Sequence, residues 1–244
     1  MAKFLPRNLD KAWKRLASGA GADNLKSLVL FQNNPGYTVY WDDFVGQGAG
    51  TWPASQNWSY PATQGTGTEV LTVTTAQLGG HLSIATGTST GDTAIQTVGL
   101  HWRGTEGWYY ICRAKLSTTT SSKLEVGVID ALTRVQAINA KSTPTFIATD
   151  AACFIFATAE DTALTFLTVN NGVVGSNNDV TGFVFDTAFH VYEMVGSPSG
   201  FVSGYVDGIQ AGGTGAITVT APLSPYACAV ARTTASVVTS VDYM

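Results

Sequence analysis

The stretch FHVYEMVGSPSGFVSGYVDGI, Phe189 to Ile209, decides how the chain is read. Residues alternate in character on both sides of a Gly/Pro/Ser turn, at the period of two that a β-strand imposes. An Asp-Gly pair closes the second run, as tight hairpins require. Phe189, Val191, Glu193 and Val195 fall on one face of the first strand, and His190, Tyr192 and Met194 on the other. The stretch carries two carboxylates. Asp207 opens the Asp-Gly turn, where its role is backbone geometry. Glu193 has no acid at 191 or 195. The stretch therefore marks a fold rather than a catalytic pair.

Working outward, the same alternation fills most of the 244 residues. TEVLTVTTA, GHLSIATG, TAIQTVGLHW, GWYYICRAKL, KLEVGVID, ACFIFATA, ALTFLTVNNG, FVFDTAFHVYEMVG, GFVSGYVDG, GAITVTA and SPYACAVARTT each read as a strand. Gly, Asn, Asp, Ser or Pro separates nearly all of them. So many short strands predict an all-β protein built as a two-sheet antiparallel sandwich. The one helical signal is NLDKAWKRLA (8–17), where Leu9, Ala12, Trp13 and Leu16 share a face, Asn8 caps and SGAG stops. Ten residues do not hold a helix alone in water, so it needs a surface to pack on, either its own domain or a neighbouring subunit. The expected organisation is an N-terminal arm over 1–36, with its helix at about 8–17 and a linker, followed by one domain over 37–244.

Charge supports this division. Residues 1–26 carry a net +4 and the remaining residues −8, so a basic arm precedes an acidic body that is poorly suited to nucleic acid. Charged residues are 12% of the chain, against about 25% in ordinary domains. Such a surface suits burial against other subunits, so a homo-oligomer is expected. Cys112, Cys153 and Cys228 are odd in number, widely spaced and set in apolar runs. They read as buried free thiols from a reducing compartment, not as a zinc site. The N-terminus lacks the apolar core of a signal peptide, and no apolar run approaches the roughly 20 residues of a membrane span.

Three pieces together resemble the concanavalin A-like lectin/glucanase superfamily. YWDDF (40–44), followed by GTWPASQNW (50–58) and LGGHLSIAT (78–86), is similar to its opening. FHVYEMV…GYVDG is similar to its FHxYxIxW…WYVDG strand pair. VTSVDYM (238–244) is similar to its VDYV closing strand. The resemblance spans about 37–244 and implies that the sandwich is a jelly-roll. It also implies a structural Ca²⁺, with Asp242 and backbone oxygens at Gly80 and Asp43 as ligands. The simpler reading of Asp242 is a strand-end carboxylate bonded to backbone N–H groups.

Glucanases of this superfamily carry E-x-D-x-E on one strand, which places the acids on one face. The nearest match here is KLEVGVID. Glu125 and Asp130 are five apart, on opposite faces of a regular strand, and Gly127 stands where the second acid belongs. Glu160 and Asp161 are adjacent at a turn and point apart. His81, His101 and His190 are scattered, with no HExxH, G-x-S-x-G or P-loop. No catalytic residues are expected.

Thr- and Gly-rich sandwiches with an opening DDF resemble virion proteins of tailed bacteriophages. That resemblance implies a non-enzymatic capsid decoration protein located in the virion. Its arm (Phe4, Leu5, Leu9, Lys11, Trp13, Lys14, Arg15, Leu16) would anchor it to the major capsid protein or another virion protein. The alternative is a carbohydrate- or receptor-binding module of a tail fibre, with Trp52, Trp58 and Tyr60 stacking on a host-surface glycan. For these aromatics, burial in the core is the competing role.

Overall fold

The computed structural model describes residues 50–51, 70–74, 81–91, 93–97, 102–131 and 136–243. Its strands in chain order are β1 (Gly50–Thr51), β2 (Val70–Thr74), β3 (His81–Ala85), β4 (Thr93–Thr97), β5 (Trp102–Arg103), β6 (Trp108–Leu116), β7 (Ser122–Ile129), β8 (Ile138–Ala140) and β9 (Thr145–Phe146). They continue with β10 (Ala151–Ala157), β11 (Leu164–Asn170), β12 (Val173–Asp179), β13 (His190–Gly196), β14 (Phe201–Val206), β15 (Ile209–Ala216), β16 (Pro222–Ala231) and β17 (Val238–Tyr243). The one helical turn among the described residues is a 3₁₀ segment at Gly104–Glu106. The arm and its expected helix at 8–17 lie outside the described residues.

The strands form two main antiparallel sheets. One runs β1-β2-β3-β17-β6-β13-β14-β15. The other runs β12-β11-β10-β7-β16-β4, with β5 pairing onto β16, and β8 and β9 make a separate two-stranded ribbon. Alternation in the opening stretch sets the packing as expected. His190, Tyr192 and Met194 of β13 are buried, while Glu193 is half-buried and Val195 exposed. The turns also follow the sequence. Asn171 and Gly172 take φ 48° and 73°, and Asp207 and Gly208 take 49° and 79°, the left-handed pair that a tight hairpin needs.

Between the sheets lies one core. Tyr110, Cys112, Tyr192, Met194 and Val202 of the first sheet meet Leu124, Val126, Phe154, Phe166 and Ala227 of the second. Phe154 sits between Phe166 (5.2 Å) and Tyr192 (5.6 Å), which ties the two layers together. A second core covers the opposite face of the β10-β7-β16 sheet. There Ile129, Cys153, Ile155, Tyr226, Cys228 and Val230 pack under Ala137, Ile138 and Ala148, with Phe146 at the edge. As a result β7 and β10 are buried along their whole length. The continuous apolar run ACFIFA fits a strand covered on both sides.

Two expected strands end differently. FVFDTAFHVYEMVG becomes a strand only from His190. Val180 closes onto the Leu164 carbonyl (2.8 Å), Asp186 accepts the Ala188 N–H (2.6 Å), and residues 181–189 form a loop. GAITVTA leaves the sheet after Ala216, because Ile217 turns into the core and its N–H bonds the Gly200 carbonyl.

On the inner face of β14, Gly204 lies against the rings of the second sheet. A Cβ there would lie 2.6 Å from the Phe166 ring and 2.9 Å from the Phe154 ring. Gly204→Ala is expected to cost about 1–3 kcal/mol through overpacking. The loss should appear as a lower urea midpoint with an unchanged slope.

Candidate functional site

Most residues that the resemblance implicated fall outside the described part of the chain. These are the anchoring residues Phe4 to Leu16, the aromatics Trp52, Trp58 and Tyr60, and the cation ligands Asp43 and Gly80. Asp242, on β17, pairs with the Arg113 guanidinium of β6. Among the described residues no group of three or more His, Cys, Asp or Glu side chains is placed to hold a metal ion.

The nearest match to a catalytic strand is β7, and its carboxylate is engaged elsewhere. Glu125 faces the second core, and its side chain is fully buried with that of Lys123, whose Nζ lies 2.7 Å from Oε1. The Ala137 N–H (2.8 Å) and Tyr226 hydroxyl (3.2 Å) donate to Oε2, and the Ile138 N–H (3.2 Å) donates to Oε1. Lys123 also donates to Gln136 Oε1 (2.8 Å) and to the Ile138 carbonyl. Together the two side chains fasten the start of β8 onto the sheet. Gly127, two residues on, admits no acid. A Cβ there would stand 2.1 Å from the Ala152 carbonyl oxygen and 2.7 Å from Cys153 Cα.

The other candidate carboxylates serve the same covering segment. Asp130 lies just past β7, raised by burial, and accepts the Thr149 N–H at 3.1 Å. Glu160 and Asp161 are adjacent, as the sequence suggested, yet both hold residues 141–142. Glu160 accepts the N–H groups of Lys141 and Ser142 (2.7 Å each) and the Ser142 hydroxyl (2.8 Å). Burial opposes its ionisation, but these bonds outweigh it and keep its pKa below the usual value. Asp161 pairs with the buried Lys141 ammonium. Sequence reasoning missed both buried lysines. The signal for Lys123 was its i, i+2 spacing to Glu125, which puts the two charges on one face of an otherwise apolar run.

Glu193 lies half-buried on the outer face of the eight-stranded sheet. Tyr109 donates its hydroxyl to Oε1, and the cross-strand neighbours are Tyr205 and Ile111. His190 faces inward from the start of β13, between two carboxylates. Its Nδ1 is 2.7 Å from Asp207 and its Nε2 3.0 Å from Asp186. The bond to Asp207 raises its pKa above the ordinary value, against the effect of burial. Asp207 therefore does more than shape its turn, because it also accepts the Val191 N–H at 2.8 Å. His81 is held below its ordinary pKa by burial and by Lys115, and meets the Phe189 ring edge-on at 6.3 Å.

No protein-family model matches the chain, and no curated protein matches its sequence. Solved structures match its fold. LamA from Zobellia galactanivorans, in complex with laminaritriose and laminaritetraose, is 13% identical, with 84% of this chain and 96% of that one covered and a TM-score of 0.56. A GH16 protein of Bacteroides ovatus in complex with product is 9% identical, covering 84% and 98%, with a TM-score of 0.52. A Bacillus licheniformis β-glucanase is 15% identical, covering 84% and 95%, with a TM-score of 0.50. The chain thus has the concanavalin A-like jelly-roll fold that carbohydrate-active proteins share. At these identities the likeness is one of fold, and the fold does not carry the activity.

The buried pair yields a direct test. Removing one partner strands the other charge, so Glu125→Leu or Lys123→Met alone is expected to cost about 3–5 kcal/mol. The double variant should recover much of that loss. A double-mutant cycle in urea measures the coupling.

Proposed function

We propose that this chain is a non-enzymatic structural protein of a bacteriophage virion, decorating the head through its N-terminal arm. The observation that supports the non-catalytic reading is the covered face of the β10-β7-β16 sheet. The one acid on β7 is spent on fastening that cover, and Gly127 leaves no room for a second. The pair of opposed carboxylates that glycoside hydrolysis needs has no counterpart there.

The remaining features suit an assembly component. The three cysteines are free and buried, and burial pushes the Cys112 thiol up to about 12. Such thiols are inert toward exchange. Val184 (84% exposed), Val173 (65%) and Phe201 (57%) offer apolar surface for contact with neighbouring subunits. No helix among the described residues is long and apolar enough to cross a membrane.

The mechanism is attachment by mass action. Burying Leu9, Trp13 and Leu16 contributes about 25 cal/mol per Å² of apolar surface, and Lys11, Lys14 and Arg15 orient the arm on an acidic shell. A partner that binds only the assembled particle stabilises it, by an amount that grows with the logarithm of its free concentration once above Kd.

Deleting residues 1–26 should abolish co-sedimentation with particles while leaving the far-UV spectrum of the β domain intact. Full decoration by the truncated protein would sink the anchoring role. Release of reducing ends from a β-glucan, lost on Glu125→Gln or Glu193→Gln, would overturn the non-catalytic reading.

A further inference from the structure

Residues 180–189 connect β12 to β13, and two rings from this loop pack into the sandwich. Phe185 is buried and stacks on Phe156 of β10, 4.0 Å between centroids and 20° between planes. Phe183 packs against the same core and meets the His190 ring edge-on at 4.9 Å. Val184, between them, is 84% exposed. The loop is thus apolar on both sides, and something must decide which side faces in.

His190 holds the answer in its bonding. Its side chain is 9% exposed, and each ring nitrogen faces a carboxylate. A neutral imidazole has one N–H and one lone pair, so it satisfies only one of the two. Imidazolium donates to both. The two carboxylates are not equally held. Asp207 is 39% exposed and anchored by the Val191 N–H; Asp186 is 61% exposed, lies farther from the ring and belongs to the loop itself. On losing a proton, the ring keeps Asp207 and lets Asp186 go.

Among the described residues, no other side chain is hydrogen-bonded to the His190 ring. From its own strand His190 is accompanied by Tyr192, whose buried hydroxyl has no partner and is kept protonated by burial. On β6 it pairs with Ala114. The flanking Arg113 and Lys115 lie over the Phe189 ring, and Arg113 acts on Asp207 through its charge. The rings of Phe183 and Phe185 also pack against it.

We infer that His190 is a proton-operated latch: protonated, it ties Asp186 and the 180–189 loop down beside Asp207; deprotonated, it releases Asp186 and the loop swings out, uncovering Phe183 and Phe185. The sign follows from linkage. Asp207 raises the His190 pKa in both states; in the closed loop Asp186 raises it further through its hydrogen bond and charge, so the closed loop binds the proton more tightly than the open one. Closure is fully supported below the open-loop pKa, itself raised by Asp207, and weakens as pH rises through the closed-loop pKa. Asp186, lowered chiefly by the Ala188 N–H, and Asp207, lowered by His190 and the Val191 N–H against burial, withdraw their support only as pH falls well into the acid range.

Hydrogen exchange of amides 181–189 in the full chain between pH 6 and 9, corrected for intrinsic rates, tests this. The opening constant should stay flat at the acid end of this range, while the open-loop ring is still protonated. It should then rise by up to about tenfold per pH unit until the His190 pKa, measured by NMR, and level off above it. Amides of β10 should not follow. Asp186→Ala should open the loop at pH 6 and flatten its pH profile; loss of the Ala188 hydrogen bond alone would leave that profile in place. Three results overturn the latch: protection unchanged from pH 6 to 9, a profile in Asp186→Ala that still rises as in the parent, or β10 amides losing protection in parallel with the loop.

Discussion

A carboxylate and an ammonium, both out of water, sit side by side on one sheet face, and the arrangement of that face depends on them. Glu125 and Lys123 lose their hydration on burial, and their mutual attraction alone does not offset such a loss. What offsets it is saturation. Glu125 receives the Ala137 and Ile138 N–H groups and the Tyr226 hydroxyl beside the ammonium; Lys123 gives to Gln136 and the Ile138 carbonyl. The apolar plate around them, Cys153, Ile155 and Cys228, would accept many covers equally well. Fixed donors and acceptors specify one. Glu160, Asp161 and Asp130 repeat the device along the same segment.

This explains how a chain with few charges remains ordered on both faces of one sheet. Lys123, Glu125 and Lys141 are interior, which leaves the surface poorer in charge than the composition suggests. The thiols follow the same logic. Cys153 and Cys228 lie in the outer core and Cys112 in the inner one, and burial raises all three well away from reactivity.

What was legible in the sequence was the part governed by local rules. Period two placed Tyr192 and Met194 inside, and Asn-Gly and Asp-Gly placed two turns, because alternation and left-handed φ are properties of a few consecutive residues. The double burial of β7 was hidden. Lys123 and Glu125 look like a solvent face, and only a distant segment, at Gln136 to Ile138, turns them inward. The loop at 183–189 looked like strand because Phe183 and Phe185 sit two apart; tertiary docking on Phe156 and the Asp186 turn overrode that pattern. Asp207 was seen as turn geometry, while its bond to His190 joins residues seventeen positions apart.

The hairpin's two carboxylates now have a common account with the others. Every carboxylate side chain that the structure describes accepts a hydrogen bond from the protein. Asp150 links the Asn171 and Thr218 N–H groups, Asp179 takes the Thr165 hydroxyl, Asp242 takes Arg113 and Glu193 takes Tyr109. Catalytic acid chemistry needs a carboxyl whose proton is exchanged with a substrate, and a second acid across the scissile bond. Each acid side chain that the structure describes is bonded to backbone, hydroxyl or cation within the fold. The chain shares its jelly-roll fold with carbohydrate-active proteins, and carboxylates among its described residues hold loops in place. Among the described residues, His190 is the group through which we infer that a proton moves a loop.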